Sequence, residues 1–139
     1  MQFSSRLPIA THILLVIQVY GDTHKITSEF LAGSIGVNPV VIRKTLGYLK
    51  RANLVDVKST VGGTILKRPL NQISLLDVFR AVEVDEELFH FHENPNPNCV
   101  VGKNIHAVLG EKIHDIKSKF EKDLDSIKLD ELIEKLKES

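Results

Sequence analysis

The 139-residue sequence predicts a mainly α fold with one small β-hairpin and a long helix near the C-terminus. Three observations predict it. Apolar residues recur at three- and four-residue steps in several separate segments. A single short stretch, Leu54 to Lys58, instead alternates with period two, and a Gly62-Gly63 pair follows it. From Val101 to Ile127 the apolar positions narrow to one thin seam flanked by Lys, Glu and Asp.

The first helix is expected from a Ser4 or Ser5 cap to about Val19, with Pro8 in its first turn. Ile9, Ile13, Val16 and Tyr20 hold helical spacing, and Leu14, Leu15 and Ile17 widen the stripe, so this helix is buried on most sides. Arg6 and His12 are its polar exceptions. Arg6, at the helix start, has two open readings, a phosphate contact or an ordinary surface residue. Gly21-Asp22 ends the helix.

Residues 27–66 then read as helix, tight turn, helix and hairpin. Thr27 is a good N-cap, and Phe30, Leu31 and Ile35 keep helical spacing. Gly36 supplies the permissive backbone that ends a helix, and Val37 packs inward. Asn38 can cap the next helix, and Pro39 suits a first turn, where its missing N–H costs nothing. Ile42, Leu46 and Leu49 form a buried face, with Arg43, Lys44, Lys50 and Arg51 off it. Two helices joined this way make a helix-turn-helix, which also occurs as a plain helical hairpin in globular cores. The hairpin behind it tips the reading to a winged helix. Leu54–Lys58 is one strand, Gly62-Gly63 the tight turn, and Thr64-Ile65-Leu66 the return, with Lys67 and Arg68 beyond. In this motif the N-terminal end of the second helix enters the major groove. Asn38, Val40, Val41, Arg43 and Lys44 stand at that end.

After a Pro69 loop, Ser74 and Asp77 make a capping-box-like pair at the start of a helix ending near Glu83. Leu75, Leu76, Val78, Phe79 and Val82 are its core face. Residues 84–99 change character to acids, histidines, asparagines and two prolines, a linker or effector-facing loop. Leu88, Phe89 and Phe91 are too apolar for solvent alone, so part of the loop is expected to dock. The long helix steps through Ile105, Leu109, Ile113, Ile116, Phe120, Leu124 and Ile127, close to a heptad pattern. A helix of roughly 27 residues spans about 40 Å and outreaches a small body, so the same helix of a second subunit is the economical partner. A final helix, Leu129–Leu136, adds Leu132 and Ile133 as an anchor. The expected organisation is a winged helix-turn-helix domain (1–83), a variable loop (84–99), and a dimerisation helix with its anchor (100–139).

Net charge is zero, which by itself argues against a nucleic-acid partner. The halves differ, however. Residues 1–70 carry nine Lys/Arg against three Asp/Glu, a net of +6, and residues 71–139 carry nine against fifteen, a net of −6. A basic half joined to an acidic half fits DNA contact at one end and a different task at the other. The competing reading treats the acidic helices as solvated faces. The lone Cys99 excludes an intrachain disulfide and a CxxC zinc site, and a free thiol fits a reducing, cytoplasmic location. No apolar run reaches the roughly 18 residues of a membrane span, and no signal peptide is indicated.

The order of elements, with SIGVNPVVIRKTLGYLKRANLV, the Gly62-Gly63 wing, ISLLDVFRAVE, the closing IKLDELI and the opening SSRLPIATHILLVI, resembles the Rrf2 family of bacterial winged-helix transcription regulators over nearly the whole chain. The resemblance implies a homodimer on a palindromic operator, usually as a repressor. It implies recognition-helix contacts at Asn38, Val40, Val41, Arg43 and Lys44, and wing contacts at Lys58, Ser59, Thr60 and Gly62; Arg51 and Arg6 join the DNA-binding candidates. The family's usual wing has an Arg and a Gly-Pro-Gly-like run, whereas this one has Lys58-Ser59-Thr60-Val61-Gly62-Gly63 and no arginine to insert. Well-known members hold an iron–sulfur cluster on three cysteines. With Cys99 alone, no cluster or other cofactor is expected, since a cluster needs three or four ligands. The chain is similar to the cluster-less, YwnA-like branch.

Basic side chains from two subunits would meet phosphates with salt-dependent affinity and little sequence information. Arg43 or Lys44 would bond guanine edges, Asn38 adenine or only its own helix end, and Val40 or Val41 thymine methyls; for Val41, partial core burial is the alternative. Cys99 starts the long helix, where helix N-termini favour a thiolate, so it reads as a redox switch or as an inert cysteine. A metal site from His90, His92, Cys99 and His106 matches no standard spacing. The alternative function is a winged-helix protein-interaction module without DNA binding. An enzyme is not expected, since no nucleophile–base pair, phosphate-cradling loop or paired core acids stand out. The effector is not readable.

Overall fold

Helix α1 (Arg6–Tyr20) is the element against which most of the others pack. The computed structural model describes residues 4–58, 62–83 and 89–139. Ala10, Ile13 and Leu14 of α1 are completely buried, with Val16 and Ile17 nearly so. A helix apolar on almost every side is stable only when covered on almost every side. Helix α2 (Ser28–Ile35), α3 (Pro39–Arg51), α4 (Leu75–Val82), the wing and α6 (Leu129–Lys137) supply that cover. The expected mainly α architecture with a winged helix-turn-helix is what the chain forms.

The turn of the helix-turn-helix is built by caps. The Phe30 N–H donates to Thr27 Oγ1 at 3.0 Å and starts α2. Gly36 ends it at φ +80°, a left-handed conformation that glycine adopts without a Cβ penalty. Its N–H and that of Val37 both donate to the Ala32 carbonyl. The Val40 N–H then donates to Asn38 Oδ1 at 2.8 Å, with Pro39 first in α3. Ile42 and Leu49 are fully buried and Leu46 half-buried, as the spacing predicts. Asn53 closes α3 at φ +61°, a conformation asparagine tolerates.

Strands β1 (Val55–Val57) and β2 (Thr64–Leu66) pair antiparallel, with Val55 opposite Leu66 and Val57 opposite Thr64. The glycine pair closes the hairpin connection. The Lys58 N–H donates to the Gly63 carbonyl and the Gly62 N–H to the Lys58 carbonyl. The connection therefore runs from Lys58 to Gly63, with both glycines at its returning end. A third run of backbone flanks β2, since the Thr64 N–H donates to the Ile26 carbonyl at 2.9 Å.

The expected loop after the wing contains a short 3-10 turn at Leu70–Gln72, started by Pro69. Ser74 and Asp77 form the predicted capping box, each side chain accepting from the other's backbone N–H. Helix α5 (Val100–Asp125) starts one residue earlier and ends two earlier than the sequence suggests, and none of its residues is buried. It touches the body through α4, where the Phe120 ring meets Phe79 edge-on at 5.5 Å and Arg80 pairs with Glu121 at 3.3 Å. The chain end is sewn back onto the start of α4. Leu75 N–H donates to Ile127 O, and Leu129 N–H to Ile73 O. Leu132 and Ile133 anchor α6 as half-buried side chains, but the fully buried one is Leu129. No helix among the described residues is long and apolar enough to cross a membrane.

Candidate nucleic-acid interface

The N-terminal half of α3 presents one face to the core and another to solvent. Ile42 and Thr45 point in, and the Thr45 hydroxyl is satisfied by the Val41 carbonyl at 2.8 Å. Val40 is 61% exposed and Val41 40%. Arg43 and Lys44 are exposed beside them. Four of the five predicted recognition residues thus share one open surface. Asn38 stands at its edge with its side-chain oxygen committed to the cap. That leaves it a helix-starting residue first.

Arg43 is tethered. Its guanidinium lies 3.7 Å from the carboxylate of Glu29, in the first turn of α2. Lys44 has no ion-pair partner among the described residues. Arg51 sits in the last turn of α3, with its guanidinium 5.0 Å from the centre of the Tyr48 ring, an arrangement that stiffens it. Eight residues separate it from Arg43, roughly 12 Å along the axis, so the two do not share one contact point. Arg6 lies on the seam between α1 and α4, 3.6 Å from Glu83, whose side chain is only 13% exposed. A phosphate contact by Arg6 would have to take it from that carboxylate.

On the wing, Lys58 is exposed and Gly62 half-buried at φ +72°. Ser59 and Thr60 lie outside the described residues. Two residues that the sequence pattern did not single out belong to this surface. Glu29 pairs with Arg43, and Lys25 lays its side chain across Gly62 and Gly63. The signal for neither was local. Both arise from residues more than a dozen positions apart.

Cys99 is exposed and N-caps α5 without its side chain bonding a backbone N–H. Phe91 touches α5, its ring 5.0 Å from His106, but remains 39% exposed, and Phe89 is 47% exposed; Leu88 lies outside the described residues. His106 Nε2 is 3.0 Å from the His92 carbonyl. Among the described residues no three His, Cys, Asp or Glu side chains gather in a metal-holding group, so His90, His92, Cys99 and His106 do not assemble into a ligand set.

The sequence pattern of the Rrf2 family, described as an iron-dependent transcriptional regulator, matches residues 3–135. The chain belongs to the Rrf2 family. It is 41% identical over 133 residues to YwnA of Bacillus subtilis (strain 168), provisionally named an HTH-type transcriptional regulator; the match covers 96% of this chain and 98% of YwnA. The crystal structure of a provisionally described DNA-binding protein is 36% identical, covering 93% of this chain and 99% of that one, with a TM-score of 0.76. The crystal structure of a provisionally described transcriptional regulator from Lactobacillus plantarum has the same fold at 20% identity, a TM-score of 0.81, and 96% and 90% coverage. Rrf2 membership makes the chain a regulator of the DNA-binding class rather than an enzyme. The iron of the family description does not fit its residues. One exposed thiol and no three-ligand group leave nothing to hold iron or a cluster among the described residues.

Proposed function

We propose that this Rrf2 protein is a homodimeric repressor that binds a palindromic operator, reading the major groove with the start of α3 and resting its wing on the DNA backbone. The observation that carries the reading is the α3 surface. Val40, Val41, Arg43 and Lys44 are exposed together at a capped helix start, held by a fully buried Ile42 and Leu49. Arg43 and Lys44 offer bonds to guanine or phosphate, and the valines offer contact to thymine methyls. Lys58 on the wing adds sequence-independent attraction.

Two observations support the dimer. Along α5, Val100, Val101, Val108, Leu109 and Ile116 are exposed. Of the predicted seam, Ile105, Ile113, Phe120 and Leu124 are half-buried within the chain, and Leu109 and Ile116 are open. An apolar groove of about 760 Å³ beside α1, bordered by Leu7, Leu15, Val19, Leu132 and Leu136, is a second uncovered surface. A second copy covers such surfaces by symmetry. The two recognition helices would then meet half-sites about 34–36 Å apart, or a multiple of that.

The test is fluorescence anisotropy with the DNA upstream of the protein's own gene against a scrambled fragment, across a salt series. Tight, operator-selective binding that falls steeply with salt is expected, with the protein sedimenting as a dimer. Absence of binding at low salt would overturn the reading in favour of a winged-helix interaction module.

A further inference from the structure

The root of the wing holds a cation that the helix-turn-helix pattern does not account for. Lys25 stands in the connection between α1 and α2, exposed, next to the buried Ile26. The Ile26 carbonyl accepts the Thr64 N–H at 2.9 Å, so this connection and β2 are fastened together. The Lys25 side chain then runs over bare glycine backbone. A Cβ on Gly62 would lie 3.0 Å from Lys25 Cε and 3.2 Å from its Nζ, and one on Gly63 would lie 3.2 Å from its Cγ. The two glycines, at φ +72° and +85°, meet two needs at once. They return the chain, and they leave room for a lysine stem.

Lys58 opens onto the same place, since its backbone N–H and carbonyl bond Gly63 and Gly62 at 3.0 and 3.1 Å. Lys25, Lys58, both glycines, Asp22 and His24 border one cleft of about 260 Å³. Lys25 has no ion-pair partner among the described residues; Asp22, on the same rim, does not pair with it. A lysine whose stem is already laid along the backbone loses less freedom when its ammonium meets an anion.

We infer that Lys25, packed against the root of the wing, is a DNA-binding residue, which with Lys58 forms a two-lysine clamp on the phosphate backbone. The inference rests on the proposed DNA contact of the wing. It supplies the anchoring charge at a wing whose described residues include no arginine. An ammonium is a compact point charge suited to a phosphate and poor at discriminating bases.

The experiment uses the full chain carrying Lys25→Gln or Lys25→Arg, with the same DNA fragments and salt series. For Lys25→Gln the slope of log affinity against log salt should fall by about one per subunit. The preference for operator over scrambled DNA and the melting temperature should stay unchanged. Lys25→Arg, which keeps the charge, should restore the slope. An unchanged slope in Lys25→Gln overturns the inference and leaves the DNA-binding reading standing, as does a loss confined to the operator. A parent protein with no salt-dependent binding removes both.

Discussion

Glu29 and Arg43 join the two helices of the helix-turn-helix, carboxylate to guanidinium at 3.7 Å, at the surface proposed to meet DNA. Their side chains are 74% and 56% exposed, so the pair contributes little to stability. On the proposed DNA-binding reading its effect is on recognition: Glu29 would hold Arg43 back from a base edge and place a negative charge where phosphates approach. Glu29→Gln should therefore tighten DNA binding severalfold at low salt, with the gain shrinking as salt screens it. Arg43→Ala should cost about 1–3 kcal/mol at one base pair if Arg43 reads a base, and should weaken all sequences alike if it touches phosphate. Anisotropy on single-base operator variants separates the two. A Glu29→Gln protein that binds no tighter than its parent would mean the pair does not restrain Arg43.

Leu129 is fully buried although it lies ten residues from the end of the chain. Its N–H reaches the Ile73 carbonyl, and its side chain joins the core built around α1. The C-terminal helix is thus part of the body that carries the wing. Leu129→Ala should destabilise the protein by about 2–5 kcal/mol, read as a shift in the midpoint of urea unfolding. Removal of residues 127–139 should have a larger effect. A truncated protein as stable as the parent would show that α6 is only an appendage.

The parts of this molecule that were legible in its sequence are those set by neighbours in the chain. Thr27, Gly36, Asn38-Pro39 and the Ser74–Asp77 box announce helix ends because capping acts over two or three residues. The face of α3 was legible because Ile42, Leu46 and Leu49 keep one period. What was not legible depends on distant pairs. Leu129 reads as one more apolar residue of an amphipathic helix until Ile73 is placed beside it. Gly62-Gly63 reads as a tight turn, but nothing local reveals that the Lys25 side chain lies across both glycines. The pairing of Arg43 with Glu29, and of Arg6 with Glu83, turns apparent free cations into partnered ones. Phe120, placed by its spacing on the seam of α5, is engaged by Phe79 of its own chain.

The capping box at the start of α4 also braces the chain end, since the buried Ser74 is bridged to Lys128. Its hydroxyl accepts the Asp77 N–H, and Asp77 in turn lies 3.6 Å from Arg68 beyond the wing. Ser74→Ala should cost about 1 kcal/mol, the usual loss for an N-cap. Ser74→Asp, which preserves an acceptor but buries a charge beside Asp77, should cost more. Equal stability of the three proteins in chemical denaturation would remove the cap from the account of α4.

The seam of α5 makes the sharpest distinction between fold and assembly. Ile116 is 52% exposed, so its replacement by Lys removes little packing within one chain. If this stripe meets its counterpart in a second subunit, Ile116→Lys buries a charge in an apolar interface and should dissociate the dimer. Sedimentation would then report the 15.6 kDa chain alone. Operator affinity should fall steeply, because each winged helix would bind one half-site without its partner, while weak salt-dependent binding to any DNA persists. Ser118→Lys is the control. Two residues further on, it lies about 200° around the helix from Ile116, is also exposed, and should leave the dimer intact. If both variants keep the parent's mass, the subunits associate through a surface other than this stripe.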